Sequence, residues 1–240
     1  MIRLFIPTPL SQGQCILLDE ATNHYVVHVM RRKHGDIIHV FNQESGEWEA
    51  FIETHKRKTT LTIQKQRRTP LADDRPRYHA VLSLIKPKNL EFAIEKLTEL
   101  GITDIHIVAA TRSNFRHTNL QRLMLIAKEA TEQCERLDMP RIYDPMPLTK
   151  WVDSQLKAPT ISTLFVADER SDNPSLAHHK MEPGNLGFFI GPEGGISVED
   201  KKIILSLPSS VPISLGPNIL KTETAAIVCG GLIILGSMNQ

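Results

Sequence analysis

The residues best suited to chemistry are two glycine-bearing stretches near the C-terminus, FFIGPEGGISVED (188–200) and SLGPNILKTETAAIVCGGLIIL (214–235). In each, an apolar run ends at a glycine, and a helix-forming segment follows a short loop. Glycine has no Cβ, so a ligand can lie directly against backbone N–H and C=O groups, and Gly194 and Gly195 can take positive φ. A tight strand-to-helix turn uses glycine for the same reason. In the second stretch Thr222 or Thr224 can cap the helix, leaving amides near its start for a polar ligand atom. A buried helix with a polar cap reads the same way.

The common nucleotide cradles are missing. No two glycines stand two apart, so GxGxxG cannot occur, and no glycine precedes a lysine, so the P-loop cannot occur either. HExxH and GxSxG are absent as well, which removes the central signals of zinc proteases and of nucleophile-elbow hydrolases. What remains is a glycine-rich ligand turn of another kind.

The elements that must position these stretches follow an α/β rhythm. YHAVLSLI, DIHIVAA, TLFVADE, LGFFIG and VPISLG are apolar runs suited to buried parallel strands, and residues 89–100 and 119–137 between them have helical patterns. Ligands of such sheets bind beyond the carboxyl ends of the strands, where FFIG delivers its glycines. Upstream, RLFIP, DIIHVFN, EWEAFIE and TLTIQKQ are short β-type runs separated by turn signals such as Ser45-Gly46, which predicts a small β-barrel. One helix over 19–32 interrupts them, with Val26, Val27 and Met30 on an apolar stripe. TPLADDRPR (69–77), with two prolines and clustered charge, has linker chemistry and marks a domain boundary.

Composition narrows the class further. The 240 residues are 41% hydrophobic and 23% charged, as in ordinary globular proteins. Apolar runs such as LIIL at 232–235 fall far short of the ~20 residues of a membrane helix. The start, MIRLFIP, is too short and too quickly polar for a signal peptide, so a cytoplasmic location without membrane contact is expected. Cys15, Cys134 and Cys229 lack CxxC spacing, which indicates neither a disulfide framework nor zinc. His24 and His28 stand four apart without a third ligand at distinctive spacing, so they read as surface histidines and no metal is expected.

The net charge of +1 divides into +3 over residues 1–77 (12 Lys+Arg, 9 Asp+Glu) and −2 over the remainder (16 against 18). HKRKTTLTIQKQRR (55–68) holds six basic residues and no acidic one. Alternate side chains of a strand share one face, so several cations here can meet a phosphate backbone. A sheet edge protected by charge looks the same.

Together, GPEGGIS and LGPNILKTETA resemble the C-terminal knot of SPOUT-class RNA methyltransferases, most closely the ribosomal RNA small subunit methyltransferase E family. The resemblance covers nearly the whole chain. KPKNLEFAIEKLTELGI (86–102) resembles the family's Lys-rich segment and the Glu-Leu-Gly end of its helix, and AKEATEQCERLDMPRI (127–142) the next helix with its following proline. NHYVVHVMRRKHGD (23–36) is similar to the pattern of its PUA-like barrel. The resemblance implies a PUA-like RNA-binding β-barrel domain over 1–72 and a SPOUT α/β domain with a deep trefoil knot over 73–240.

It also implies S-adenosylmethionine as cofactor, a homodimer, and methylation of N3 of one uridine in small-subunit (16S) ribosomal RNA; the near-neutral charge, with little long-range attraction to RNA, favours the assembled 30S subunit as the form of that substrate. The cofactor residues it implies are Ala167 and Glu169, then Ile190, Gly191, Gly194 and Gly195, and finally Leu215, Gly216, Ile219, Leu220, Thr222 and Ala225. Glu223, Lys221 and Arg136 are the candidates for handling the proton and charge of the imide, with Glu193 and Arg112 as further carboxylate and cation. RNA contacts are expected from Arg31, Arg32, Lys56, Arg57 and Lys58 and from Lys86, Lys88 and Arg112. The chain departs from the family pattern at Asn218 and Lys221, where arginine is usual: lysine keeps the charge without the planar fork, and asparagine keeps neither. A SPOUT enzyme acting on transfer RNA and a noncatalytic RNA-binding assembly factor share these motifs. Methyl transfer to small subunits separates the leading reading from both.

Overall fold

The computed structural model describes residues 2–56, 58–168 and 172–238. The chain forms two compact units, Met1–Asp73 with Thr131–Met139, and Asp74–Ala130 with Pro140–Gln240.

The first unit is built on five strands, β1 (Arg3–Phe5), β2 (Cys15–Leu17), β3 (Ile37–Asn42), β4 (Gly46–His55) and β5 (Lys58–Arg68), in the order β1-β3-β4-β5-β2. Alternation of apolar and polar residues sends Ile38, Val40, Ile52, Leu61 and Ile63 to one buried core with Leu4 and Val26. Gly46 starts β4 at φ 77°, where an added Cβ would stand 2.1 Å from the Arg68 carbonyl oxygen. The predicted helix is shorter and less regular than its apolar stripe suggests. Helix α1 (Glu20–His24) is capped by Asp19, which accepts from the Thr22 amide, and then widens into a π-turn over Tyr25–Val29.

Residues 131–139 join this unit through a buried arginine. Arg3, 5% exposed, pairs with Glu47 at 2.8 Å and donates to the carbonyls of Thr131 (3.3 Å) and Arg136 (3.0 Å). Burial pushes the Glu47 carboxyl up, but the Arg3 guanidinium and His39 outweigh that and hold it below its ordinary value.

In the second unit the strands are β6 (Tyr78–Ser83), β7 (Asp104–Ala109), β8 (Arg141–Ile142), β9 (Met146–Pro147), β10 (Thr163–Ala167), β11 (Leu186–Ile190) and β12 (Ser210–Ile213). They form a parallel sheet in the order β12-β10-β11-β6-β7-β8, with β9 beside β7. Burial of the central strands on both faces explains their nearly continuous apolar sequences. The helices are α2 (Pro87–Leu100), α3 (Leu120–Gln133), α4 (Leu148–Lys157), α5 (Val198–Ile204) and α6 (Thr222–Ser237). Of the Gly-Gly pair within α6, Gly230 has a packing role: a Cβ there would lie 2.9 Å from Leu97 Cδ2 on α2, so the bare glycine lets the two helices approach. Among the described residues no helix is long and apolar enough to cross a membrane.

Candidate active site

A cleft of about 390 Å3 opens at the carboxyl ends of β10, β11 and β12, bounded by the start of α6. Strand β11 runs into GPEGG, whose glycines do different jobs. A Cβ on Gly191 would stand 2.5 Å from Ile196 Cγ1, so the chain folds back too closely there for any side chain. Gly195 takes φ 74° and its amide closes a turn on the Pro192 carbonyl at 2.8 Å. Gly216, after β12, has φ 113° and open space where a Cβ would be, so its need for glycine is conformational.

The loop is held from behind. Ser197 caps α5, its Oγ accepting from the Asp200 amide at 3.0 Å and its hydroxyl donating to Asp200 Oδ2 at 2.8 Å. Asp200, 4% exposed, also accepts from the Thr111 amide (3.0 Å) and hydroxyl (2.9 Å). One buried carboxylate thus joins the segment after β7 to the segment after β11. Next to Thr111, Arg112 Nη1 donates to the Gly194 carbonyl at 3.2 Å.

Thr222 does not cap α6. It is the first helical residue, and its hydroxyl donates to the Gly191 carbonyl at 3.3 Å, tying the two glycine stretches together. Lys221 holds the N-cap position without a side-chain bond, and Thr224 is exposed. The N-cap residue makes no side-chain hydrogen bond to the first amides of this helix, and Lys221, Thr222 and Glu223 at its positive end line the cleft.

Most of the expected cofactor residues meet here. Ala167, Ile190, Gly191 and Gly195 line one side, and Leu215, Gly216, Ile219, Leu220, Thr222 and Ala225 the other. Gly194 is not in the lining and packs on Arg112 instead. Glu169 lies outside the described residues. Asp168 and Asn89, which sequence reasoning missed, also line the cleft; Asp168 directly follows the expected Ala167 and pairs with Lys201.

The charged candidates separate. Glu223 and Lys221 line the cleft, and Glu223 Oε2 is buried without a hydrogen-bond partner among the described residues. Glu193 lines it too, but its Oε1 accepts the Lys86 amide at 3.1 Å, at the start of α2. Arg136 is not in the lining; it belongs to the first unit, where it is paired with Asp138 at 3.1 Å. Of the expected RNA contacts, Arg31, Lys56 and Lys58 are exposed in the first unit, and Arg32 stands 3.9 Å from Asp36. Lys86, Lys88 and Arg112 are exposed in the second unit. Arg57 lies outside the described residues. His24 and His28 are exposed, with ring centroids 4.9 Å apart.

Comparison with known proteins identifies the family. Residues 73–234 match the model of an RNA methyltransferase domain, and residues 18–64 that of an RNA methyltransferase PUA domain. The ribosomal RNA small subunit methyltransferase E of Rickettsia conorii is 30% identical over 240 residues, covering 98% of this chain and 96% of its own. Its Bacillus subtilis counterpart is 28% identical over 85% of this chain and 83% of its own. A Legionella pneumophila protein solved in complex with the bound cofactor SAM has a TM-score of 0.85 at 25% identity, covering 97% of this chain and 96% of that one. The ribosomal RNA small subunit methyltransferase E of Neisseria gonorrhoeae, bound to S-adenosyl methionine, has a TM-score of 0.83 over 99% and 98% of the two chains, and at 21% identity it supports the fold.

Proposed function

We propose, from the premise that this chain belongs to the ribosomal RNA small subunit methyltransferase E family, that it transfers a methyl group from S-adenosylmethionine to N3 of one uridine in small-subunit ribosomal RNA. The observation that carries the reading is the convergence of the Gly191, Gly195 and Gly216 backbone with the uncapped start of α6 on one cleft. Those groups fit S-adenosylmethionine. Bare carbonyls and amides can hold an adenine edge and a methionine carboxylate, and the helix start favours the carboxylate. Gly191, Gly195, Leu215, Gly216, Ile219 and Leu220 hold the cofactor.

When bound, the cofactor supplies an electrophilic methyl group on a sulfonium. The protein's share is to align the nucleophile and to manage its proton. Uridine N3 carries a hydrogen and becomes a good nucleophile once the imide is deprotonated. Glu223 takes that proton: its Oε2 is buried, without a partner among the described residues and in the cleft lining, whereas Glu193 is engaged with an amide. Lys221, adjacent in the lining, stabilises the charge that spreads over the imide.

RNA is held by Arg31, Arg32, Lys56 and Lys58 of the first unit and by Lys86, Lys88 and Arg112 of the second. With a net charge of +1 the protein has little long-range attraction for RNA, which favours the shaped surface of an assembled 30S subunit over naked RNA. The protein acts in the cytoplasm as a homodimer, and its C-terminal segment forms the trefoil knot. The test is transfer of labelled methyl from S-adenosylmethionine to small subunits that lack this modification, followed by mapping of the product. Label at N3 of a single uridine is expected. Label on transfer RNA alone, or cofactor binding with no transfer to any RNA, overturns the reading.

A further inference from the structure

A second cleft, of about 1070 Å3, lies at the opposite end of the same sheet. Its lining includes His79 at the second position of β6, Asp104 and Arg141 at the first positions of β7 and β8, and Ser162, Asn185 and Ser209 just ahead of β10, β11 and β12. It therefore crosses the amino ends of the strands from β8 to β12. Five inter-strand spacings make that about 24 Å.

Flat rings form one part of its surface. His79 and His106 stack with centroids 5.5 Å apart and 16° between planes, and His106 and Tyr143 with 4.4 Å and 6°. Tyr143 follows β8, the edge strand, so among the described residues no neighbouring strand continues the row beyond its ring. The ring is held in place. Its hydroxyl donates to Asp104 Oδ1 at 2.9 Å, and Asp104 is clamped by Arg77 at 2.7 and 2.8 Å. Arg141, exposed and two residues before Tyr143, places a cation on the same side of the edge strand.

Further along, Trp151 Nε1 and His79 Nε2 have no hydrogen-bond partner among the described residues, although their residues are only 2% and 3% exposed and both line the cleft. Burial holds both imidazoles below the ordinary histidine value, His106 at about 4, so they are neutral near pH 7. Arg77 and Asp104 cancel, which leaves Arg141 to set the sign of the charge among these groups.

We propose that this cleft is a second nucleotide-binding site, a track for unpaired nucleotides in which one base extends the ring row at Tyr143 and its phosphate meets Arg141. An aromatic platform beside a cation holds single-stranded nucleic acid with little regard to sequence, because every base offers a π-face. The indole N–H and imidazole nitrogen in the middle of the track meet polar atoms of the neighbouring nucleotide. The chemistry is that of a nucleoside phosphate, whether free or within an RNA strand. Because the proposal rests on the protein being an RNA methyltransferase only for the choice of RNA as the main source, binding is measured apart from methyl transfer.

The test uses the full-length protein and a fluorescently labelled octauridylate, with anisotropy as the readout and uridine monophosphate as competitor. Tyr143→Leu is expected to weaken octauridylate binding about 10-fold and Arg141→Ala about 3-fold, while Tyr143→Phe keeps the wild-type value. Affinity for S-adenosylmethionine, at the other end of the sheet, verifies that each variant is folded. A 4-thiouridine oligonucleotide should cross-link to the peptide containing Tyr143 or Trp151. Displacement by uridine monophosphate with the same pattern of variant effects identifies a free nucleotide as the ligand; displacement by oligonucleotide alone identifies an RNA strand. Unchanged octauridylate affinity in both Tyr143→Leu and Arg141→Ala, with cofactor binding intact and no cross-link in this region, overturns the site. A protein that transfers no methyl yet shows the expected pattern overturns the methyltransferase reading and leaves this one standing.

Discussion

The two ends of the parallel sheet are built from different materials. At the carboxyl ends of β10 to β12 the cleft presents mainly backbone: glycines, a tight turn and the bare first turn of α6. At the amino ends the surface is made of side chains: two histidines, a tyrosine, a tryptophan and a clamped Arg–Asp pair. A binding surface made of backbone does not tolerate an added carbon atom, whereas a surface made of titratable side chains responds to charge and pH.

The sharpest test of that contrast is Glu223, whose Oε2 is buried and lines the cleft at the backbone end. Glu223→Gln should lower kcat about 100- to 10,000-fold while cofactor affinity stays within about 2-fold, because its role is in proton transfer. Equal losses in kcat and cofactor affinity, by single-turnover kinetics and calorimetry, would make Glu223 part of the binding surface. Gly191→Val should weaken S-adenosylmethionine binding about 10- to 100-fold, since its Cβ meets Ile196 at 2.5 Å and the loop must shift. Unaltered affinity would refute the backbone account of this end.

At the amino end the contrast predicts a pH effect. His106 holds its pKa at about 4 through burial, with His79 opposing and Asp104 favouring protonation, against an ordinary value of about 6.5. Between those values the unfolded chain takes up a proton that the folded protein refuses. Stability is therefore complete above about pH 6.5 and declines toward pH 4, by up to ~3 kcal/mol. Denaturation midpoints measured across that range should show a shallower decline for His106→Gln; identical slopes would place the titration elsewhere. The smallest effect is expected behind the glycine loop. Asp200→Asn keeps the shape but weakens charge-assisted bonds to Thr111 and Ser197, at a cost of roughly 1–2 kcal/mol in stability with a modest loss of cofactor affinity. A full loss of folding would show that this carboxylate holds more than the loop.

Much of the carboxyl end was legible because its signals are local. Each glycine stretch announces a strand end, a turn and a helix start within about twenty residues, and all five apolar runs of the second domain became strands. Thr222 shows the limit of local reading. Its type and position suggest a cap, yet its hydroxyl reaches the Gly191 carbonyl, a partner 31 residues away. Asp168 escaped notice because a lone carboxylate after a strand has no distinguishing pattern. The amino-end cleft was invisible for a stronger reason: its lining is gathered from residues between Arg77 and Ser209, brought together only by parallel pairing. The two-residue strands β8 and β9 carry no periodicity to detect.

The buried Arg3 has a consequence for synthesis. Its acceptor on Thr131 lies 128 residues further along the chain. At roughly 5–20 residues per second, a ribosome takes on the order of 6 to 26 s to make that stretch. Until then the N-terminal sheet holds a guanidinium whose full set of carbonyls does not yet exist. The first unit to emerge therefore completes its polar interior only after much of the second has been translated, so a chain cut at the interdomain linker should yield a less stable fragment than its apolar core suggests.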